Sequence, residues 1–175
     1  MKKILIVVDM QNDFVDGALG TKEAAAIVDN VAAKINAHDG VIFATLDTHQ
    51  ENYLETSEGR KLPIVHCVKN TEGWKLNKKV ENALNNKGFT PVEKVTFGST
   101  DLPRLVKEAC GGEECEIELI GLCTDICVVS NALVLKANFP EATISVDAKC
   151  CAGVTPDTHN AALSVLRCCQ IDVEE

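Results

Sequence analysis

The sequence has no apolar run long enough to cross a membrane. A membrane-spanning helix needs about 20 consecutive apolar residues, and the runs here are much shorter. The first apolar run ends at Asp9 and has no small-residue cleavage site after it, so it does not resemble a signal peptide. We therefore expect a cytoplasmic protein with no membrane partner.

Positive charge is also scarce. The chain has 17 Lys and Arg against 26 Asp and Glu, which gives a formal net charge of −9. A phosphate backbone would be repelled by this balance, so nucleic acid is not an expected partner. The hydrophobic fraction of 46% and the length of 175 residues fit a globular protein with its own core. Since no repeat or linker interrupts it, we expect residues 1–175 to form a single domain.

The nine cysteines lack the paired spacing of a zinc finger. Their number is odd, and four of them form two adjacent pairs, Cys150-Cys151 and Cys168-Cys169. In a reducing cytoplasm we expect free thiols, most of them acting as small buried hydrophobic side chains.

Short apolar runs alternate with segments of helical periodicity. The runs at 4–8 and 41–46 are typical of parallel strands that are covered on both faces. Such alternation predicts right-handed βαβ crossovers and a mostly parallel sheet. The further strands are expected at 65–68, 92–95, 116–121, 142–146 and 171–173, and the later helices at 76–84, 101–110, 125–137 and after 155.

Chemistry in such folds collects at the carboxyl ends of the strands, which selects Asp9, Asp47, Lys94 and the turn at 121–127. Cys127 falls in the first turn of a predicted helix, where the partial positive charge of the helix N-terminus favours a thiolate. Each residue alone has an ordinary alternative. Asp9 could cap a loop, Lys94 could be a solvated charge, and Cys127 could be a buried structural thiol.

A second group of residues has the chemistry of a divalent-metal site. Asp47 and His49 follow the second strand, His66 lies further along, and Glu58 in the loop between them could add an oxygen ligand. Two imidazoles with carboxylates commonly bind zinc, iron or manganese. Ordinary hydrogen-bonded histidines are the alternative at this point.

Together these residues resemble a known family, the isochorismatase-like cysteine hydrolases, which include the nicotinamidases. The resemblance covers nearly the whole chain. Its elements are Asp-x-Gln-x-Asp-Phe at 9–14, Asp-x-His at 47–49, Pro-x-x-His-Cys at 63–67, Lys94 with Phe97, and Gly-x-x-Thr-Asp-x-Cys-Val at 121–128.

The resemblance implies a three-layer α/β/α Rossmann-like fold with a six-stranded, mostly parallel sheet. It also implies that Asp9 accepts a proton, that Cys127 is the nucleophile and that Lys94 is their charged partner. It places a cis peptide bond between Leu122 and Cys123. The backbone N–H groups of Cys123 and Cys127 would then form the oxyanion hole.

The same resemblance implies one divalent metal ion, zinc first with iron or manganese as alternatives, held by Asp47, His49, His66 and Glu58. It assigns the substrate pocket to Phe14, Leu62 and Ile126, and it implies a homo-oligomer, a dimer or a tetramer. The pocket departs from the nicotinamidases, because Leu62 replaces an aromatic residue and Ile126 replaces a histidine.

The sequence therefore predicts a cysteine hydrolase that cleaves a small amide through a thioester. Its partner would be nicotinamide, converted to nicotinate and ammonia, or a related small amide. Two alternatives are an isochorismatase-type hydrolase of another substrate and a catalytically silent metal-binding protein of the same fold. Cys127 argues against the first, because isochorismatases lack this nucleophile, and the complete set of Asp9, Lys94 and Cys127 argues against the second.

Overall fold

A computed structural model describes all residues from 1 to 175. The strands are β1 (Lys2–Val8), β2 (Val41–Asp47), β3 (Thr90–Lys94), β4 (Cys115–Leu122), β5 (Thr143–Ala152) and β6 (Asp172–Glu174). The helices are α1 (Asn12–Val15), α2 (Lys22–Ala37), α3 (Ser57–Lys61), α4 (Lys78–Lys87), α5 (Leu102–Cys110), α6 (Val129–Asn138) and α7 (Pro156–Cys168). A short 3₁₀ turn covers Tyr53–Glu55, and a π-helical turn, Thr124–Val128, precedes α6.

The six strands form one sheet in the order β3-β2-β1-β4-β5-β6, and every neighbouring pair is parallel. Two separate apolar clusters lie on its two faces. One joins the sheet to α2 and α4, and the other joins it to α5, α6 and α7. Burial on both faces explains the continuous apolar runs of β1 and β2. The predicted three-layer α/β fold with a six-stranded sheet is confirmed.

The predicted strand at 65–68 is wrong. This segment makes only one isolated bridge, from Val68 to His49, and Leu62 and Val65 are exposed. Pro63 has no N–H to donate to a ladder, so the segment crosses the carboxyl edge of the sheet as a loop.

Two other expectations need correction. β5 runs to Ala152 rather than ending near 146, because the register shifts and pairs Gly121 with Cys151. Cys110 and Cys115, expected to be free thiols, form a disulfide. The Gly111-Gly112 turn between α5 and β4 brings their Cα atoms to 6.1 Å, within the range that a disulfide spans. The other seven cysteines are free.

The sheet brings the ends of its central strands together. Asp47 is the register partner of Lys94 across β2 and β3, and Val8, just before Asp9, pairs with Gly121 of β4. Residues 9, 47, 94 and 121–127 therefore meet at one carboxyl edge, although up to 118 residues of chain separate them. No helix is long and apolar enough to span a membrane.

Candidate active site

Asp9, Lys94 and Cys127 lie in contact at the carboxyl edge of the sheet. The Lys94 Nζ lies 2.6 Å from Asp9 Oδ2, and it donates to Cys127 Sγ at 3.5 Å. All three residues are buried. The structure thus brings together the three residues that the sequence selected, which come from the ends of β1 and β3 and from the turn after β4.

Burial controls the protonation of this group. Loss of solvent raises the pKa of Asp9, although Lys94 opposes the change, and it also raises the pKa of Cys127, with the Asp9 charge adding to the effect. Burial alone would lower the pKa of Lys94. The charges of Asp9, Cys127 and Asp47 outweigh that effect, so the pKa of Lys94 is raised. Lys94 therefore stays a cation beside the carboxyl and the thiol.

Thr45 is a partner of Asp9 that the sequence did not reveal. Its hydroxyl donates to Asp9 Oδ1 at 2.6 Å and is fully buried in β2, the strand beside β1. The bond occupies one carboxylate oxygen and leaves the other facing Lys94. Asp9 itself has a positive φ of 47°, which turns the chain out of β1 at this point.

The turn before α6 presents backbone donors next to Cys127. The peptide bond between Leu122 and Cys123 is cis, as the resemblance implied. The Cys123 carbonyl accepts the N–H groups of Ile126 at 3.1 Å and Val128 at 3.0 Å, which closes the turn. No protein acceptor bonds to the N–H of Cys123 itself. Cys123 and Cys127 both line the same cavity.

Asp47, His49, Glu58 and His66 form a compact cluster beside Lys94. One ligand atom from each lies within 4.8 Å of all the others. His49 Nε2 lies 2.9 Å from Asp47 Oδ2 and 3.7 Å from Glu58 Oε1. His66 Nε2 lies 3.7 Å from the same two carboxylate oxygens. Two nitrogen and two oxygen donors that converge in this way fit a divalent ion such as zinc.

Several contacts orient this cluster. His66 Nδ1 donates to the Ile64 carbonyl at 2.7 Å, which leaves Nε2 pointing at the carboxylates. Gln11 accepts the Asp47 N–H and donates to the Asp47 carbonyl, so it clamps the end of β2. Tyr53 packs against both imidazole rings, with its ring centroid 4.6 Å from that of His49 and 4.9 Å from that of His66. This packing could not be predicted from the sequence, because nothing in the local pattern around Tyr53 links it to either histidine.

Electrostatic interactions within the cluster counteract the effect of burial on the pKa values of its carboxyl groups. Burial would raise the pKa of Asp47, but the hydrogen bonds of His49 and His66 and the charge of Lys94 hold it well below its usual value. Asp47 is therefore ionised. Burial raises the pKa of Glu58, with the two histidines opposing it. A cation placed among these groups would be attracted by both carboxylates.

One cavity of about 320 Å³ connects the thiol with this cluster. Its walls are mostly apolar, and all three residues predicted for the pocket line it, Phe14, Leu62 and Ile126. Four further apolar residues of the wall were not predicted from the sequence, namely Leu19, Ala24, Phe97 and Val154. A mostly apolar pocket with a few convergent polar groups is typical of a small-molecule site.

The structure is a three-layer α/β fold in which Asp9, Lys94 and Cys127 lie together beside one cavity. The isochorismatase domain model matches residues 3–175, so the chain belongs to the isochorismatase family. The nicotinamidase/pyrazinamidase of Mycobacterium tuberculosis is 28% identical over 188 aligned positions, covering 98% of this chain and 97% of that protein.

Solved structures have the same fold. The crystal structure of nicotinamidase/pyrazinamidase PncA from Bacillus subtilis superposes with a TM-score of 0.87 and 28% identity, covering 100% of both chains. The pyrazinamidase of Pyrococcus horikoshii, solved in complex with zinc, superposes with a TM-score of 0.82 and 25% identity, covering 100% of this chain and 99% of that one.

Proposed function

We propose that this protein is a nicotinamidase-like amidase that works through a thioester on Cys127. It is a hydrolase of amide carbon–nitrogen bonds, as its relatives from Mycobacterium tuberculosis and Bacillus subtilis are named to be. One observation carries the residue assignment. The buried Lys94 ammonium contacts both the Asp9 carboxylate and the Cys127 sulfur, and Cys127 lines the cavity.

Acylation begins with proton transfer. Asp9 accepts the proton of Cys127, and Lys94 stabilises the negative charge wherever it lies. The thiolate attacks the amide carbonyl, and a carbon–sulfur bond forms while the carbonyl oxygen becomes an oxyanion. The free N–H of Cys123, with that of Cys127, supports this oxyanion. Asp9 then returns its proton to the nitrogen, ammonia leaves, and a thioester remains.

Deacylation repeats the pattern with water as the nucleophile. Asp9 takes a proton from the water, which attacks the thioester carbonyl, and the acid is released as the thiolate of Cys127 leaves. Thr45 keeps Asp9 in the same position through both steps, because its hydroxyl holds one carboxylate oxygen. The apolar wall limits access of other water molecules to the intermediate.

Asp47, His49, Glu58 and His66 would hold the metal ion. Zinc is our first assignment because the pyrazinamidase of Pyrococcus horikoshii was solved in complex with zinc. When bound, the ion supplies a Lewis-acidic point at which a substrate heteroatom is held. The chain's own residues then orient the substrate, since Phe14 and Leu62 confine it from the sides.

The substrate we propose is nicotinamide or a related small heterocyclic amide. Cavity size and apolar lining support a single aromatic ring. Because Leu62 and Ile126 replace residues typical of nicotinamidases, ring-substituted relatives of nicotinamide belong in the same test.

The test is ammonia release from a panel of small amides by wild type, Cys127→Ala and Cys67→Ala. Cys67 is also a buried free thiol, but it does not line the cavity, so it is the matched control. We expect turnover of at least one heterocyclic amide by wild type and Cys67→Ala, and none by Cys127→Ala. Absence of ammonia from every amide would contradict the proposal.

A further inference from the structure

The side chain of Thr124 has one hydrogen-bond partner, and it lies outside the catalytic group. Thr124 is fully buried and directly follows Cys123. Its hydroxyl lies 2.8 Å from Nδ1 of His159, which is on α7. The turn Thr124–Val128 has no side-chain cap, because Cys123 at its N-terminus makes no capping bond. Contacts from neighbouring segments therefore add to the backbone bonds that close the turn.

His159 is itself held firmly. The N-terminus of α7 has a reciprocal cap between Thr155 and Thr158, and the N–H of His159 donates to the Thr155 carbonyl at 2.9 Å. Gly153 packs so closely that a Cβ there would lie 2.9 Å from the Cα of His159. Burial lowers the pKa of the His159 ring, although Asp125 opposes the change, so the ring is neutral and Nδ1 can accept the Thr124 hydroxyl.

A second contact joins the same two segments. The carboxylate of Asp125 accepts the N–H of Val154 at 3.2 Å from each of its oxygens. Thr124 and Asp125 are adjacent, so two successive side chains of the turn reach the start of α7 and the loop before it. The Thr-Asp pair of the motif at 121–128 thus has a structural role that the catalytic steps above leave unassigned.

We propose that His159 is a positioning residue, which holds the oxyanion-binding turn in place through Thr124. The inference rests on the proposed function, because it needs the Cys123 N–H to face an oxyanion. The carbonyl of Cys123 and the N–H of Thr124 share one rigid peptide plane, so fixing Thr124 also fixes the group that closes the turn. A displacement of about 1 Å at such a donor can cost about a hundredfold in rate.

Three substitutions of His159 separate this role from simple packing. His159→Asn keeps an amide group where Nδ1 lies, and His159→Gln places it nearer the position of Nε2. We expect His159→Ala and His159→Gln to lower kcat by about 10–100-fold with KM changed by less than about threefold. His159→Asn should stay within about threefold of wild type. Thr124→Val should match His159→Ala, and the double variant should be no worse than either. Asn160→Ala, an exposed neighbour on α7, is the control.

Two inhibitors provide a second, more specific test of this role of His159. Pyridine-3-carboxaldehyde adds to the thiolate and creates an oxyanion, whereas iodoacetamide alkylates it at a saturated carbon and creates none. We expect His159→Ala to weaken aldehyde inhibition at least tenfold while the alkylation rate of Cys127 stays within about twofold. An unchanged kcat, equal losses for both reagents, or rescue by His159→Gln would overturn the inference. If wild type cleaves no amide, the proposed function fails as well; if wild type is active and His159→Ala keeps full kcat, only this inference fails.

Discussion

The ammonium group of Lys94 lies 2.6 Å from the carboxylate of Asp9, and both side chains are almost completely excluded from solvent. A buried ion pair of this kind is a weak source of stability while intact, but removing one partner leaves an uncompensated charge. The Lys94–Asp9 ion pair should therefore affect the stability of the fold as well as the chemistry of the site.

Lys94→Met should destabilise the protein by about 3–5 kcal/mol, because Asp9 is left buried and unpaired. Adding Asp9→Asn to Lys94→Met should recover part of this loss, since the orphan charge is then gone. Urea unfolding measures both. Lys69→Met is the control, because its ion pair with Glu93 is 40% and 44% exposed and should contribute less than about 1 kcal/mol. A larger loss for Lys69→Met than for Lys94→Met would contradict the account.

Metal content tests the second cluster. Protein purified without chelators should hold one divalent ion per chain, and His49→Ala and His66→Ala should each weaken metal binding. The loss should be at least about 10–100-fold, which is typical when a residue that only supports a metal ligand is removed. His38→Ala is the matched control, because His38 lies outside the cluster. Elemental analysis after dialysis is the measurement. Equal metal content in all three variants would remove these residues from the site.

An ion-pair cluster away from the site predicts a pH-dependent stability. The Lys34 Nζ on α2 lies 2.7 Å from both Glu118 on β4 and Asp147 on β5, so it ties the helix to the sheet. Burial would raise the pKa of Asp147, but Lys34 outweighs it and holds that pKa below its usual value. The contribution of Asp147 is therefore complete above its unfolded pKa of about 3.9, and it is lost as the pH falls through the lower folded value.

Asp147→Asn should cost about 1 kcal/mol at pH 7. Its difference from wild type should shrink as the pH falls below about 4, because the unfolded chain then binds a proton at Asp147 before the folded protein does, and it should vanish once the folded carboxylate is protonated as well. Denaturant unfolding at a series of pH values checks this. A difference that stays constant down to pH 2 would mean that the charge of Asp147 contributes nothing.

Much of the fold, and the meeting of Asp9, Lys94 and Cys127 at one edge of the sheet, could be predicted from the sequence, because their signals are local. Asp9 directly follows an apolar strand, Lys94 ends a short strand, and Cys127 follows a strand and a tight turn. Contacts between distant segments leave no such local pattern. The bond from Thr45 to Asp9 and the packing of Tyr53 on His49 depend on which strands and loops become neighbours.

The errors have the same physical origin. The segment 65–68 is apolar enough for a strand, but Val65 is exposed and the segment has only one bridge to the sheet. β5 continues through the polar Asp147 and Lys149, since pairing with β4 resumes after a register shift at Leu119–Gly121. In both cases pairing with a neighbour decides the structure, and a single strand does not specify its neighbours.

The central claim is that Cys127 forms a thioester with the acyl part of the substrate. An ester of the same acid has a better leaving group than the amide, so deacylation should become the slow step and the intermediate should accumulate. Acid quenching within the first turnover, followed by peptide mass spectrometry, measures it directly. We expect a mass increase of one acyl group on the peptide that contains Cys127, lost in Cys127→Ala and kept in Cys123→Ala. Product release with Cys127 unmodified, or undiminished turnover by Cys127→Ala, would contradict it.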